Sequence, residues 1–284
     1  VHLRVRRMKI IVSGTGIAGM SAALAAANAG HKVTLCGHLA SPPPAGGIQL
    51  APNGWQALDQ LGLFDAAIKR ATRLDHIVVR DLGSGATLTR LGLNNHYASI
   101  GRADLLNLLQ DTVAKYDSIT HHAALISHAV PHKDSVDLVF EDGHCMKAAA
   151  LVAADGAAGL GRRLVAGTIS ANRQPNGRVA MRANIDAALL PAVFAQPASN
   201  LWLGQGAHLV HYPIAGGDRI NFAVTLSAQL AAGHWQAKIF GTNPLFDTLA
   251  SGSFTWATTP VSPSGSPICW RRGRLVLAGD AAHV

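Results

Sequence analysis

Residues Gly14 to Gly19 read Gly-Thr-Gly-Ile-Ala-Gly, and their flanks leave few folds open to the chain. Before them, Lys9 to Ser13 (KIIVS) is a short apolar run of the kind that forms a buried parallel strand. After them, MSAALAAANAG is a stretch of good helix formers closed by Gly30, and HKVTLCG reads as the next strand. Strand, glycine turn, helix and strand in this order make a βαβ unit. The spacing G-x-G-x-x-G has a backbone logic in such a unit. Gly14 permits the tight turn, Gly16 lets a pyrophosphate approach, and Gly19 lets the helix pack on the strand. Ile17 and Ala18 open the helix, whose free N–H groups and positive dipole end face the phosphates. A tight βα turn that holds no ligand would use the same glycines.

One expected residue is missing. An acid that grips a ribose diol should end the second strand, and that place falls on Gly37; the first acid in the whole chain is Asp59. His38 or backbone groups are the alternatives for that contact. Export is a competing reading, because Arg4, Arg6, Arg7 and Lys9 precede an apolar run and AAANA offers small residues for cleavage. The glycines interrupt that run at regular spacing, and it is rich in alanine rather than leucine, so it makes a poor signal and a poor membrane span. Met8 is the expected start, with residues 1–7 a non-native or disordered leader.

The net charge of +8 raises the possibility of nucleic acid, but the basic residues are scattered and aromatics are only 5%. Without an interleaved arginine and aromatic stripe, the reading is no nucleic acid and no membrane. The three cysteines, Cys36, Cys145 and Cys269, are far apart and form no CxxC. That argues against a disulfide framework and against a zinc site, and places the chain in the cytoplasm. No metal is expected; the adjacent His121 and His122 do not have ligand spacing on a helix.

Along the chain, APNGWQALDQLGL predicts a helix with Asn53 as its cap and Gly62 as its stop. Alternation from His76 to Leu93 predicts a hairpin around Gly83–Gly85, and Asp104 to Lys115 an amphipathic helix with Leu105, Leu108, Leu109 and Val113 on one face. SVDLVFEDGHCMKAAALVAADG reads as a strand, an Asp142-Gly143 turn and a second strand, leading into Ala154-Asp155-Gly156, with Arg162 and Arg163 soon after. Residues 176–260 read as mainly β. RGRLVLAGDAAHV reads as a buried strand followed by Gly279-Asp280. Three sites, each at the end of a buried strand, therefore occur in order. The fold class is α/β: a Rossmann-like nucleotide-binding domain with an inserted β-sheet domain. The expected segments are 1–75, 101–175 and 266–284 for the first, and 76–100 and 176–265 for the second.

These strings together resemble a known family, the single-component FAD-dependent aromatic hydroxylases of the para-hydroxybenzoate and salicylate hydroxylase type. The resemblance covers nearly the whole chain. It is carried by GTGIAGMSAALAAANAGHKVTL, GGIQLAPNGWQALDQLGL, GRADLLNLL, LVAADGAAGLGRR, GAHLVHYPIAGGDRINFAV and, most specifically, GRLVLAGDAAH. It implies FAD as cofactor, NADH or NADPH as reductant, and delivery of one atom of O2 to a small phenolic or N-heteroaromatic acid. Gly14, Gly16, Ile17, Ala18 and Gly19 would hold the FAD pyrophosphate, Gly46 and Gly47 would lie along its flavin side, and Arg102 would reach its phosphate or ribityl region. Asp155 would belong to the motif that serves both FAD and NAD(P)H, and Asp280 would bond the ribityl chain. The plainer readings are a helix-start arginine for Arg102 and a turn aspartate for Asp155.

Within GAHLVHYP, a strand places His208 and Tyr212 on one face and His211 on the other. By the resemblance, His208 and Tyr212 line the aromatic site, orient the ring oxygen and help ionise it. The plainer reading makes them a sheet-face histidine and a core tyrosine. Relatives carry Ser where this chain has Gly159, and they continue beyond the Gly-Asp motif, whereas this chain stops at Val284, so a shortened polypeptide is expected. A flavoprotein that inserts no oxygen and an inactive remnant are the competing functions, and a homodimer is left open.

Overall fold

The computed structural model describes residues 7–41, 45–93, 97–166, 177–241, 243–261 and 269–283. The leader expected over residues 1–7 lies outside these except for Arg7, and so do the segment ends expected at 175 and 265. Two compact units form. One comprises Val1–Ser41, Leu106–Gln174 and Pro263–Val284; the other comprises Pro42–Leu105 and Pro175–Ser262.

The first unit is built on the βαβ motif. Strand β1 (Lys9–Ser13), helix α1 (Ile17–Asn28) and strand β2 (Lys32–Cys36) follow the sequence pattern. Ile11 and Val12 are fully buried, as a strand covered on both faces requires. Helix α1 ends because Gly30 takes φ +83°, a conformation that side chains avoid. The sheet has six strands in the order Arg271–Arg272, Leu275–Leu277, Ala150–Ala153, β1, β2 and Ile119–His122. All neighbours are parallel except the first pair. A second, antiparallel sheet joins Ile126–Pro131, Val136–Phe140 and Cys145–Ala148. Its inward residues Val136, Leu138, Phe140 and Ala148 share a core with Ile11, Leu151 and Leu275.

The apolar run expected as one strand after Gly143 is thus two. It breaks at Ala149, whose N–H donates to Lys9 (2.9 Å), so Cys145–Ala148 stays in the meander and Ala150–Ala153 enters the parallel sheet.

The second unit centres on a seven-stranded sheet in the order Ala257–Val261, Arg178–Asp186, Arg219–Ser227, Ala207–Ile214, Ala198–Gly204, His76–Asp81 and Thr87–Gly92. The hairpin expected near Gly83–Gly85 is its edge. One face carries a core of Trp202, Leu209, Phe222 and Val224 packed with Phe194, Phe240 and Phe246. Short helices Ala228–Ala231, Trp235–Phe240 and Asp247–Ser251 contribute to this core, so the stretch read as mainly β contains a helical layer as well. A small antiparallel sheet of Gly47–Leu50, Ala98–Gly101 and Thr72–Arg73 belongs to the same unit.

The helix expected to be capped by Asn53 begins two residues earlier. Pro52 takes the first helical position, where its missing N–H costs nothing, and Ala51 is the cap. Gly62 (φ +72°) ends that helix as expected. Among the described residues no helix is long and apolar enough to cross a membrane.

Candidate functional site

The first unit brings its three strand-end motifs together, and the glycines show how. A Cβ on Gly14 would lie 2.2 Å from the Ala154 carbonyl oxygen, and Gly14 itself has φ +102°. A Cβ on Gly19 would lie 1.8 Å from the Gly14 oxygen, and one on Gly279 would lie 2.6 Å from Ala18 Cβ. Gly14 and Gly19 are glycine because backbone passes too closely for anything else, and Gly279 because the Ala18 methyl does. Gly16 differs, since nothing lies within 4 Å of the Cβ it lacks. It caps helix α1 without a side-chain hydrogen bond, and no acid occupies the first turn. The opening of α1, with Ile17 and Ala18 half-buried, therefore faces open space with uncapped N–H donors. That cradle fits a dinucleotide pyrophosphate such as FAD carries, and no side chain of the turn competes for it.

Asp155 follows the adjacent strand. Its Oδ2 accepts a hydrogen bond from the Gly161 N–H (2.9 Å), while Oδ1 is buried with no hydrogen-bond partner among the described residues. Burial raises its pKa above the usual carboxylate range, against the lowering pull of the Gly161 N–H and of Arg163. A Cβ on Gly159 would lie 2.2 Å from the Asp155 carboxyl, so the glycine at this position is what lets the carboxylate turn back onto its own loop. Asp280 is exposed. The buried Arg162 donates from Nη1 to the carbonyls of Ala281 (3.3 Å) and Asp280 (3.5 Å), tying the second motif to the third. The sequence showed Arg162 only as a basic residue after the glycine motif.

At the end of β2, Gly37 is buried with φ +122°. Its carbonyl is met by His121 Nε2 (2.7 Å), and the Thr15 hydroxyl donates to the His38 carbonyl (2.6 Å) while accepting from the Ala40 N–H (3.1 Å). The place where an acid was expected is thus a tied-down backbone turn.

In the second unit, alternation along Ala207–Ile214 decides which side chains meet. Ala207 and Leu209 belong to the Trp202 core and His211 is buried against it, whereas Val210, Tyr212 and Ile214 form a separate apolar cluster with Leu74, Leu93 and Tyr97. His208 has the same parity as Tyr212 and so shares its face. Register completes that face: Asn184, Asn221 and Tyr212 lie in one row, Arg182, Ala223 and Val210 in the next, and Ala180, Thr225 and His208 in a third.

Gly46 and Gly47 lie over the first row. The Gly46 N–H donates to Asn184 Oδ1 (3.2 Å), and a Cβ on Gly47 would lie 2.7 Å from Tyr212 Cε2 and 3.2 Å from Asn221 Cβ. The Arg102 N–H donates to the Gly46 carbonyl (3.0 Å), and its side chain is exposed beside that glycine. Asn184 and Asn221 were not singled out from sequence; only cross-strand register reveals them.

Electrostatics divide the two candidate catalytic side chains. Burial pushes the Tyr212 phenol up to about 12, although Arg182 and Arg102 act to lower it, so it stays protonated. Burial and then Arg178 push His208 below its ordinary value, which favours the neutral imidazole. One group is a hydrogen-bond donor near neutral pH and the other a proton acceptor. His211, on the opposite face, is fully buried and pushed down to about 3. Its Nδ1 accepts from Trp202 Nε1 (3.0 Å) and it packs on Phe194 and Phe222, which makes it part of the core.

The family model described as FAD binding domain matches residues 7–284. The 3-hydroxybenzoate 6-hydroxylase of Polaromonas naphthalenivorans (strain CJ2) is 31% identical, over 97% of this chain and 73% of its own length. The 3-amino-4-hydroxybenzoate 2-monooxygenase PtnB3 of Streptomyces platensis is 32% identical, over 99% of this chain and 75% of its own. Among solved structures, Klebsiella pneumoniae HpxO complexed with FAD and uric acid superposes with a TM-score of 0.80 at 26% identity, covering 97% of this chain and 73% of that one. The chain belongs to the FAD-dependent aromatic hydroxylases.

Proposed function

We propose that the protein is an FAD-dependent monooxygenase that uses NADH or NADPH and O2 to hydroxylate a small phenolic or N-heteroaromatic acid. The observation that carries this reading is the pairing, on one sheet face, of a protonated Tyr212 with a neutral His208 beside an apolar cluster of Val210, Tyr97 and Leu93. The relatives named for hydroxybenzoate and aminohydroxybenzoate support an aromatic acid as substrate.

Gly14, Gly16, Ile17, Ala18 and Gly19 hold the FAD pyrophosphate; Gly46, Gly47, Arg102, Asp155 and Asp280 contact the rest of the cofactor. Bound FAD, once reduced, supplies the oxygen chemistry; the protein supplies position and proton control. Tyr212 donates a hydrogen bond that orients the ring oxygen. His208 accepts the phenolic proton at its imidazole, because a phenolate is the stronger nucleophile. The apolar cluster keeps water from the ring.

The nucleotide-binding domain is assembled from the first, middle and last segments of the chain, with the sheet domain inserted between them. The free cysteines support a cytoplasmic location, and light scattering tests for a homodimer.

The test is NAD(P)H oxidation by the FAD-loaded protein with hydroxybenzoates and hydroxynicotinates, with the product identified. A ring-hydroxylated product is expected. NAD(P)H consumption that yields only hydrogen peroxide favours a flavoprotein without oxygen insertion, and failure to retain FAD favours an inactive remnant.

A further inference from the structure

The sheet face that carries Tyr212 and His208 also carries an arginine that makes no hydrogen bond or ion pair among the described residues. Three arginines sit on the two neighbouring strands, and two of them are accounted for. Arg178 donates to the Thr225 carbonyl (3.3 Å), and Arg219 donates to the Asn184 carbonyl (2.8 Å). Arg182 is half-buried, yet it makes no hydrogen bond or ion pair with any described residue. Partial burial of a guanidinium is costly unless its donors are met, and five N–H groups in a planar fork are seldom left idle.

Its place is specific. Arg182 stands directly across Ala223 from Val210. Val210 lies between His208 and Tyr212 along its own strand, each about 7 Å away. Two strand spacings, about 10 Å, separate Arg182 from Val210, and the residue between them contributes only a methyl group. The middle row is therefore a shallow trough floored by Ala223 and Val210, with a cation at one end and the two proton-handling side chains along the other. The Gly46–Gly47 turn lies against the neighbouring row, and Ala223 and Val210 are only half-buried. Arg182 is also close enough to Tyr212 to act on its phenol.

We propose that Arg182 is the specificity residue for the acid group of the substrate: its guanidinium receives the carboxylate of a monocyclic aromatic acid whose ring lies over Ala223 and Val210. This inference rests on the aromatic hydroxylase reading and adds what that reading leaves open, namely which residue selects an acid over a neutral ring. A guanidinium fork matches a carboxylate in two parallel hydrogen bonds, whereas an amide offers a single acceptor and no charge.

The test compares 3-hydroxybenzoate with 3-hydroxybenzamide, binding to the FAD-loaded protein being read from perturbation of the flavin spectrum and from tryptophan fluorescence. The wild type is expected to prefer the acid about 10- to 100-fold. Arg182→Met should abolish that preference while leaving amide affinity and FAD affinity as they were, and Arg182→Lys should restore part of it. Ala223→Leu should weaken acid and amide alike by filling the trough.

Retention of the acid preference in a folded Arg182→Met protein overturns the proposal and leaves the hydroxylase reading standing. So does a variant whose only defect is loss of FAD, since the arginine then serves the cofactor. Unchanged binding of both compounds in Ala223→Leu overturns the placement of the ring. If the FAD-loaded wild type binds neither these compounds nor hydroxynicotinates, the hydroxylase reading fails and the proposal falls with it.

Discussion

Gly16 and Gly19 lie three residues apart in one turn, and replacing each with alanine should produce opposite defects. Gly16 has extended backbone (φ −79°, ψ −176°), and a methyl group there meets nothing within 4 Å. Losing glycine at a helix cap costs about 0.5–1 kcal/mol, and stiffening the unfolded chain returns about 0.4–1 kcal/mol. The FAD-free protein should therefore keep its melting temperature to within about 2 °C. The methyl group nevertheless occupies the space over the free N–H groups. Displacing a phosphate from one charge-assisted hydrogen bond removes about 1.5–3 kcal/mol, so the Kd for FAD should rise about 10- to 150-fold.

At Gly19 the same methyl group would sit 1.8 Å from the Gly14 oxygen, more than 1 Å short of any contact that real Cβ atoms make. The turn would have to open against Ala154, at a cost of about 1–3 kcal/mol or more, lowering the melting temperature by about 5–10 °C even without FAD. Thermal unfolding of the FAD-free proteins and FAD titration by flavin fluorescence measure both quantities. The reasoning is refuted if Gly16→Ala destabilises the FAD-free fold as much as Gly19→Ala does, or if it binds FAD as tightly as the wild type.

Three further outcomes follow. Gly47→Ala should displace the Tyr212 ring, which a Cβ would approach to 2.7 Å, and cost about 1–3 kcal/mol. Adding Tyr212→Leu should relieve most of that cost, so the double-mutant cycle in urea unfolding should show coupling above about 0.5 kcal/mol; additive effects would contradict the contact. His211 is held neutral in the fold, its pKa depressed from 6.5 to about 3, so the unfolded chain binds the extra proton and stability falls as pH drops below about 6.5. The loss from this residue is about 2 kcal/mol between pH 7 and pH 5, and His211→Gln should flatten that slope in pH-dependent unfolding. Cys145 and Cys269 are exposed whereas Cys36 is buried with its thiol pushed up to about 12, so a thiol reagent should titrate two groups in the native protein and the third only after denaturation.

What could be read without the structure was what short-range backbone rules govern. The turn from Gly14 to Gly19 and the helix stops at Gly30 and Gly62 are legible because glycine announces unusual φ values and close approach. The break at Ala149 is not, since KAAALVA carries no punctuation and the split depends on a hydrogen bond to Lys9, far away in sequence. Asn53 suits a cap by residue type, but Pro52 fixes φ at the first helical position and moves the cap to Ala51. At the site, parity alone separates His208 and Tyr212 from His211, so a local rule sufficed. Arg182 could not be seen that way. Its meaning arises from register across three strands and from the absence of a hydrogen-bond partner among the described residues, and neither property belongs to any short window of sequence.

Gly37 carries a consequence for how such a chain can change. An acid at this position is a single codon change away in principle, yet the backbone there has φ +122°, a region closed to residues with a Cβ. The carbonyl that defines this conformation is tied to His121, and the following residues are tied to Thr15. Placing an acid there would therefore need the turn to be rebuilt around it. The tied turn works as a latch: mutations can tune this end of the nucleotide site through its neighbours, but a single substitution cannot install a ribose-gripping carboxylate without strain.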